Sequence, residues 1–199
     1  HARWCLVEKP FLLPGEQLET PRILVSHPER FHDALSGDPP GNLQSFQSTR
    51  EGPPPSPAPF DDVFLDLLVH DLDLLCQWAT PISLLDAACS RTPEGSIEEG
   101  MAKYRLAGGG VATLHVSRIA THRKRTLQWT SCGQTTHVDL GALPTKGSPV
   151  GTLDIQWDAV LKTIRGEKPK RKPATCWDGT RVVALAAQAR NRATQHAQG

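Results

Sequence analysis

A narrow stripe of acidic residues and one histidine lies on an otherwise apolar segment, residues 62–78, in which eleven of the seventeen residues are apolar. On a helix with about 100° per residue, five polar residues fall within about 80° of one another: Asp62, Asp66, His70, Asp73 and Gln77. Asp71 falls on the opposite side. Because a helix that is apolar nearly all round is normally buried, we predict that the stripe faces a cleft. The alternative is an ordinary amphipathic helix that exposes its polar face to water.

Asp66 and His70 stand one turn apart on this helix, which brings their Cβ atoms to about 5–6 Å. An imidazole beside a carboxylate titrates near neutral pH, so His70 is a candidate general acid or base. The same two side chains could instead be metal ligands. A zinc site requires a third protein ligand, and no other histidine lies at a ligand spacing from this pair. We therefore predict no metal site.

The segments on either side of this helix must position the stripe. Short apolar runs at 4–7 and 23–27 are typical of buried strands, and Pro28 can open a helix. A strand is predicted at 43–50, followed by a proline-rich surface loop at 51–59. Five further strands are predicted, at 82–91, 100–106, 111–119, 125–131 and 135–140. Helices are predicted at 152–165 and from Asp178-Gly179 to about residue 196.

The order of these elements predicts the fold class. Strands that cluster together, with helices before and after them, indicate an α+β fold in which helices pack on one side of a largely antiparallel, open-faced sheet. Glycine-containing turns at 108–110 and 132–134 separate neighbouring strands as hairpins. The strand pattern at 4–7 begins almost at the first residue. We interpret this as a sign that the sequence is the C-terminal part of a longer protein.

Length and charge exclude several classes of protein. The 199 residues carry 22 Lys and Arg against 21 Asp and Glu, a net charge of +1 that argues against nucleic acid or an anionic membrane as a partner. No apolar run approaches the ~20 residues of a membrane span. The five cysteines form no C-x-x-C pair, a pattern that indicates reduced thiols in a cytoplasmic protein.

Several short motifs resemble one enzyme family. They are the EKP of residues 8–10 after an apolar strand, SHPERF at 26–31, STREGPP at 48–54, DVFLDLLVHDLDLL at 62–75 and the Trp177-Asp178-Gly179 that opens the last helix. In type, order and spacing they resemble the Gfo/Idh/MocA family of NAD(P)-dependent sugar oxidoreductases. The segments at 26–31 and 48–54 are similar to the nucleotide-sugar branch of that family, the UDP-N-acetylglucosamine type.

The resemblance implies a set of site residues. Lys9, Asp66 and His70 would form the catalytic set, with His70 as the acid or base for the hydroxyl that is oxidised. Glu8, Lys9 and Pro10 would lie against the cofactor, NAD or NADP. Two arginines, Arg30 and Arg50, would bind the substrate, where a guanidinium fork can hold a carboxylate or phosphate. The alternative for each arginine is an ion pair with the protein's own carboxylates.

The resemblance also implies a division of the chain. Residues 1–22 would be the end of a Rossmann dinucleotide-binding domain, including its last strand, and residues 23–199 a substrate-binding and oligomerisation domain. The sequence contains no G-x-G-x-x-G motif, so we expect that the 199-residue chain alone does not bind NAD(H) usefully and is inactive. The implied function is oxidation of a hydroxyl group on a sugar or nucleotide sugar. The alternative is a non-catalytic module, derived from that family, for sugar binding or assembly.

A homo-oligomer is expected to form through the open face of the sheet. The predicted outward-facing residues on that face are apolar: Leu114, Val116, Leu127 and Trp129. The alternative is that the intervening polar residues line a solvated face; these are Thr113, His115 and Ser117.

Overall fold

The computed structural model describes residues 3–12, 16, 22–35, 37, 40–56, 61–141 and 151–196. A small sheet contains β1 (Cys5–Val7), β2 (Ile23–Val25) and β9 (Ala174–Thr175). β1 is parallel to β2, and β2 is antiparallel to β9. The proposed domain boundary at residue 22 falls between β1 and β2, which are paired, and it stays a prediction.

In the part of the chain that the structure describes, the large sheet has six strands in the order β4-β5-β6-β3-β7-β8. Their bounds are β3 Leu43–Glu51, β4 Ile82–Arg91, β5 Ile97–Leu106, β6 Val111–Ser117, β7 Lys124–Ser131 and β8 Gln134–Asp139. Only the β3–β6 pair is parallel. The predicted α+β fold with a largely antiparallel sheet is therefore confirmed, and the predicted strands of this sheet lie within a few residues of the observed ones.

The described residues form three α-helices beside the sheets: α1 (Val69–Trp78), α2 (Thr152–Ile164) and α3 (Cys176–His196). The predicted helix at 62–78 begins at Asp62, whose Oδ1 accepts hydrogen bonds from the backbone N–H groups of Phe64 and Leu65. Its first turn, Phe64–Leu68, is π-helical, a form that is frequent at functional sites. None of the described helices is both long and apolar enough to cross a bilayer.

The core lies between the large sheet and helices α1 and α3. Leu114, Val116 and Leu127 are at most 1% exposed and belong to this core, so the prediction that they face outward is wrong. Side chains alternate along a strand, and the apolar set takes the side that the helices cover. Trp129 also packs inward, with its ring centroid 5.0 Å from that of Trp78.

The opposite face of the sheet carries polar side chains, as the alternative interpretation proposed for Thr113 and His115, whereas Ser117 is only 3% exposed and is not solvated. Thr113 and His115 are partly exposed there, and His115 lies 3.2 Å from Glu51 and 3.3 Å from Glu99. Self-association through this face stays a prediction, and of the β6 residues exposed there Thr113 and His115 are polar while Val111, 40% exposed, is apolar.

Gly110, in the turn between β5 and β6, lies against the backbone of β3. A Cβ at this position would stand 2.7 Å from the carbonyl carbon of Gln44 and would overlap its oxygen. We expect Gly110→Ala to lower the free energy of unfolding by about 1–3 kcal/mol, because a backbone contact cannot move aside. Gly108→Ala in the same turn is the control, since its nearest atom is 3.5 Å away. Urea unfolding measures both variants, and equal losses would contradict this account.

Candidate active site

The small sheet brings two of the predicted motifs to one edge. β1 and β2 are parallel, so their carboxyl ends lie at the same edge, and Ser26 N–H donates to the carbonyl oxygen of Val7 at 2.8 Å. The segment Glu8–Pro10 leaves this edge after β1, and His27–Arg30 leaves it after β2. The first turns of the helical segment that contains α1 lie against the same edge, as the contacts below show.

Lys9 and Asp66 form an ion pair. Lys9 Nζ donates to Asp66 Oδ1 at 2.5 Å and to the Asp66 carbonyl oxygen at 2.7 Å. Arg118, at the end of β6, donates from Nη2 to Asp66 Oδ2 at 2.8 Å. Burial alone would raise the pKa of Asp66, but these two cations hold it below its usual value. Asp66 is therefore a carboxylate at neutral pH and fixes the position of the Lys9 ammonium.

His70 pairs with Glu29 rather than with Asp66. Nδ1 of His70 lies 2.8 Å from Oε2 of Glu29. The side chains of His70 and Glu29 are 12% and 11% exposed, so the pair is sheltered but reachable. The expectation that Asp66, one turn earlier on the helix, is the carboxylate beside His70 is thus wrong, because Lys9 and Arg118 occupy both oxygens of Asp66.

The protonation states of this pair follow from burial and charge. Burial tends to raise the pKa of Glu29, but the interaction with His70 and the charge of Arg50 hold it well below its usual value. Burial lowers the pKa of His70. The Glu29 carboxylate raises this pKa, but the charges of Arg50 and Lys9 lower it, and the net shift is downward. At neutral pH the imidazole is therefore neutral beside a carboxylate. Nδ1 must carry the proton that Glu29 accepts, which leaves the lone pair on Nε2.

Arg50 binds the carboxylate oxygen of Glu29 that does not contact His70. Its Nη1 donates to Glu29 Oε1 at 3.0 Å, and its Nη2 donates to Asp71 Oδ1 at 2.9 Å. Asp71 is 2% exposed. The sequence placed Asp71 on the side of the helix away from His70, but Arg50 from β3 reaches both acids. Asp71 is thus linked to His70 through Arg50 and Glu29 and is not an independent position.

Arg30 makes a second buried pair at the next turn of α1. Its Nε and Nη2 donate to the two oxygens of Asp73 at 2.7 and 2.5 Å, and Nη2 lies 3.4 Å from Asp178 Oδ2. Asp73 is 1% exposed, so this member of the polar stripe faces a buried ion pair. Substrate binding by Arg30 and Arg50 stays a prediction, but both guanidinium groups already bind carboxylates of the protein.

The structure thus brings Lys9, Asp66 and His70 together, with Glu8 and Pro10 flanking Lys9. Sequence reasoning missed Glu29 and Arg118. Glu29 lies inside the SHPERF motif, but nothing in its spacing from His70, forty-one residues later, indicates a contact. Arg118 follows a strand end and carries no motif. Among the described residues, no group of three or more His, Cys, Asp and Glu side chains could hold a metal ion.

His27 makes the stability of the protein depend on pH. Burial lowers the pKa of His27 from 6.5 to about 4, although the charge of Asp73 acts to raise it. The unfolded chain takes up this proton near pH 6.5, and the native protein only near pH 4. The free energy of unfolding should therefore rise with pH between about 4 and 6.5, with at most about 3 kcal/mol from His27.

This prediction is tested by urea unfolding at several pH values between 4 and 7. His27→Gln, which keeps the size of the side chain but does not titrate, should make the profile flatter in that window. A variant whose profile is as steep as that of the wild type would show that His27 is not the source. His70, Glu29 and Asp66 also have lowered pKa values, so slope that remains in the variant is expected from these groups, with the carboxyl groups contributing at the acid end of the range.

The chain matches no protein-family model and no curated protein sequence. Solved structures do match it. UDP-N-acetylglucosamine 3-dehydrogenase GnnA from Acidithiobacillus ferrooxidans has a TM-score of 0.78 at 23% identity, over 95% of this chain and 70% of that one. A myo-inositol dehydrogenase from Corynebacterium glutamicum has a TM-score of 0.72 at 15% identity, over 88% and 63% of the two chains.

A third neighbour is levoglucosan dehydrogenase in complex with NADH and L-sorbose, with a TM-score of 0.74 at 16% identity, over 96% of this chain and 71% of that one. At these identities the likeness establishes the fold. The neighbours are dehydrogenases of the Gfo/Idh/MocA type, and each of these three matches covers at least 88% of this chain. The chain therefore has the fold of the C-terminal domain of Gfo/Idh/MocA dehydrogenases.

Proposed function

We propose that this chain is the substrate-binding part of an NAD(P)-dependent oxidoreductase that oxidises a hydroxyl group of a sugar or nucleotide sugar. One observation carries the proposal. A neutral imidazole, His70, is oriented by the Glu29 carboxylate beside an ammonium group, Lys9, that Asp66 holds in place. A proton acceptor next to a fixed cationic donor suits the removal of a proton from an alcohol. The structural neighbours, which include dehydrogenases named for sugars and polyols, support it.

His70 acts as the general base in this proposal. Its Nε2 takes the proton of the substrate hydroxyl, while Nδ1–H stays hydrogen-bonded to Glu29. The imidazolium that forms is stabilised by the Glu29 carboxylate 2.8 Å away. Arg50 and Asp71 keep Glu29 in position. These are positioning residues, because they act through His70.

Lys9 holds the oxygen of the same hydroxyl. An ammonium group has three N–H donors, and Asp66 accepts two of them. The third remains for the substrate oxygen, on which negative charge develops as the proton leaves. Arg118 supports this arrangement by occupying the other oxygen of Asp66.

The cofactor would meet this chain at the segment Glu8–Pro10. This segment contains Lys9, which would hold the reacting hydroxyl, and the nicotinamide ring must lie close to the carbon that bears that hydroxyl. When bound, NAD(P)⁺ supplies the acceptor for the hydride that leaves the sugar carbon. The sequence contains no glycine-rich motif of the G-x-G-x-x-G type, so these residues fit the nicotinamide end of the cofactor and not its pyrophosphate. The proposal that residues 1–22 form the end of a dinucleotide-binding domain agrees with this assignment of the nicotinamide end to Glu8–Pro10.

The test is the pH profile of kcat/KM in a two-domain protein in which a dinucleotide-binding domain precedes this chain, assayed with a panel of sugars and nucleotide sugars. The rate should rise with pH through the lowered pKa of His70 and be flat above it. Because Glu29 raises the pKa of His70, Glu29→Gln should move the rise to lower pH as well as reduce the rate. Sugar binding without formation of NAD(P)H from any of them would favour the non-catalytic alternative.

Cellular location and assembly belong to the same proposal. Among the described residues, none of the five cysteines forms a disulfide bond, which supports a cytoplasmic protein. A homo-oligomer through the open face of the large sheet is proposed on the ground that no helix among the described residues packs on that face.

A further inference from the structure

A small basic cavity of about 180 Å³ adjoins Asp66. Its wall includes the two arginines of the site network, Arg50 and Arg118, together with Arg123 and Arg125 from the start of β7. Pro53 and Pro55, after β3, line it as well. Pockets that hold a whole drug-sized ligand measure roughly 300–1,000 Å³. This cavity is therefore suited to one group of a ligand whose remainder lies in the active site.

The four arginines differ in how their charge is compensated. Arg50 binds Asp71 and Glu29, and Arg118 binds Asp66 with Glu98 at 3.5 Å. Arg123 and Arg125 are exposed to solvent, and neither forms a side-chain hydrogen bond or ion pair with another described residue. Two guanidinium groups are thus available at the mouth of a cavity that shares Asp66 with the catalytic set.

Arg125 stands opposite Arg50 in the register of β3 and β7, on the side of the sheet that α1 covers. Partial burial and then the charge of Arg50 lower the pKa of Arg125, while the charges of Glu29 and Asp71 act in the opposite direction. Both of these carboxylates are bound to Arg50, and among the described residues no carboxylate forms an ion pair with Arg125, so its guanidinium can still bind an anion. The stem of Arg123 packs over Gly52, where a Cβ would be in contact with Cγ of Arg123 at 3.5 Å, and this holds the second guanidinium beside the cavity.

We propose that Arg123 and Arg125 form a subsite for a phosphoryl group of the substrate whose hydroxyl reaches Lys9 and His70, an inference that rests on the proposed function. Guanidinium forks match phosphoryl oxygens bidentately. Two forks offer more donors than a single carboxylate can use, whereas the three oxygens of a phosphoryl group serve both. The structural neighbours include dehydrogenases named for uncharged polyols and for a nucleotide sugar, and this subsite selects the charged class.

The test is calorimetric titration of the 199-residue chain with inorganic pyrophosphate, glucose 1-phosphate, glucose and NADH. Pyrophosphate and glucose 1-phosphate should bind, and glucose should bind at least tenfold more weakly than glucose 1-phosphate. Arg125→Gln and Arg123→Gln should each weaken binding of both phosphates at least fivefold. Arg105→Gln is the matched control, because Arg105 is exposed on β5 outside the cavity. It removes the same charge and should change the affinity less than twofold.

Three results would overturn the proposal. They are no binding of either phosphate, equal weakening by Arg105→Gln and Arg125→Gln, or loss of NADH affinity in Arg125→Gln as large as the loss for pyrophosphate, which would assign the cavity to the cofactor. None of these depends on turnover. A protein that oxidises uncharged sugars but binds neither phosphate would retain the proposed function and lose the subsite.

Discussion

Replacing His70 with alanine is expected to lower kcat by about 10²–10⁴-fold, the usual contribution of a positioned acid or base, in a protein that joins a dinucleotide-binding domain to this chain. His70→Gln should be as slow, because an amide keeps a hydrogen bond to Glu29 but cannot take a proton. Steady-state kinetics on the preferred sugar measures both. Lys9→Ala should also lower kcat, and the double variant should lose less than the product of the two effects, since the residues act on one hydroxyl.

The matched control is His137→Gln. His137 is exposed on β8, at the far edge of the large sheet, so the same change of side chain should leave kcat unaltered. Asp71 is not a suitable control, because it is linked to His70 through Arg50 and Glu29. A His70→Ala enzyme with a normal rate would remove His70 from the catalytic set and end the proposed mechanism.

Removing the charge of Asp73 is expected to cost the fold about 3–5 kcal/mol. Asp73→Asn keeps the shape of the side chain but leaves the Arg30 guanidinium, 5% exposed, without the carboxylate that binds it at two atoms. Asp178 remains, with its Oδ2 3.4 Å from Nη2 of Arg30, but its side chain is 33% exposed and it compensates only part of the charge. A buried charge that has lost its main partner is far more costly than the pair itself is stabilising. Urea unfolding of the 199-residue chain gives the value.

Two further variants test whether that loss of stability comes from the unpaired buried charge. Asp158→Asn breaks the exposed pair between Asp158 and Lys162 on α2 and should change stability by less than about 0.5 kcal/mol. Replacing both partners with apolar residues, Arg30→Met with Asp73→Leu, should restore much of the stability that Asp73→Asn loses. A loss below about 1 kcal/mol in Asp73→Asn would mean that the buried pair is solvated in solution.

Local patterns in the sequence were enough to predict most elements of the large sheet. The alternation of side chains and the glycine-containing turns act between neighbours along the chain, and each can be recognised from a few residues. The side of the sheet that Leu114 and Val116 face could not be predicted from these local patterns. Alternation defines two faces, but which face is covered depends on where α1 and α3 pack.

The sequence by itself determined that Asp66 and His70 share a helix and that Lys9 follows a strand, because those facts depend on local spacing. The prediction that this strand is buried is wrong in this chain, since Cys5 is exposed and Leu6 and Val7 are half-buried. Only the tertiary structure decided which side chains Lys9, Asp66 and His70 meet. Asp66 is bound by Lys9 and Arg118, fifty-seven and fifty-two residues away, and His70 by Glu29, forty-one residues away. The same holds for Arg30 and Arg50, which bind Asp73 and Asp71 of α1. Ion pairs between distant segments are set by the packing of the strands and helices that carry them, and a charged residue in the sequence gives no sign of which opposite charge the fold will bring to it.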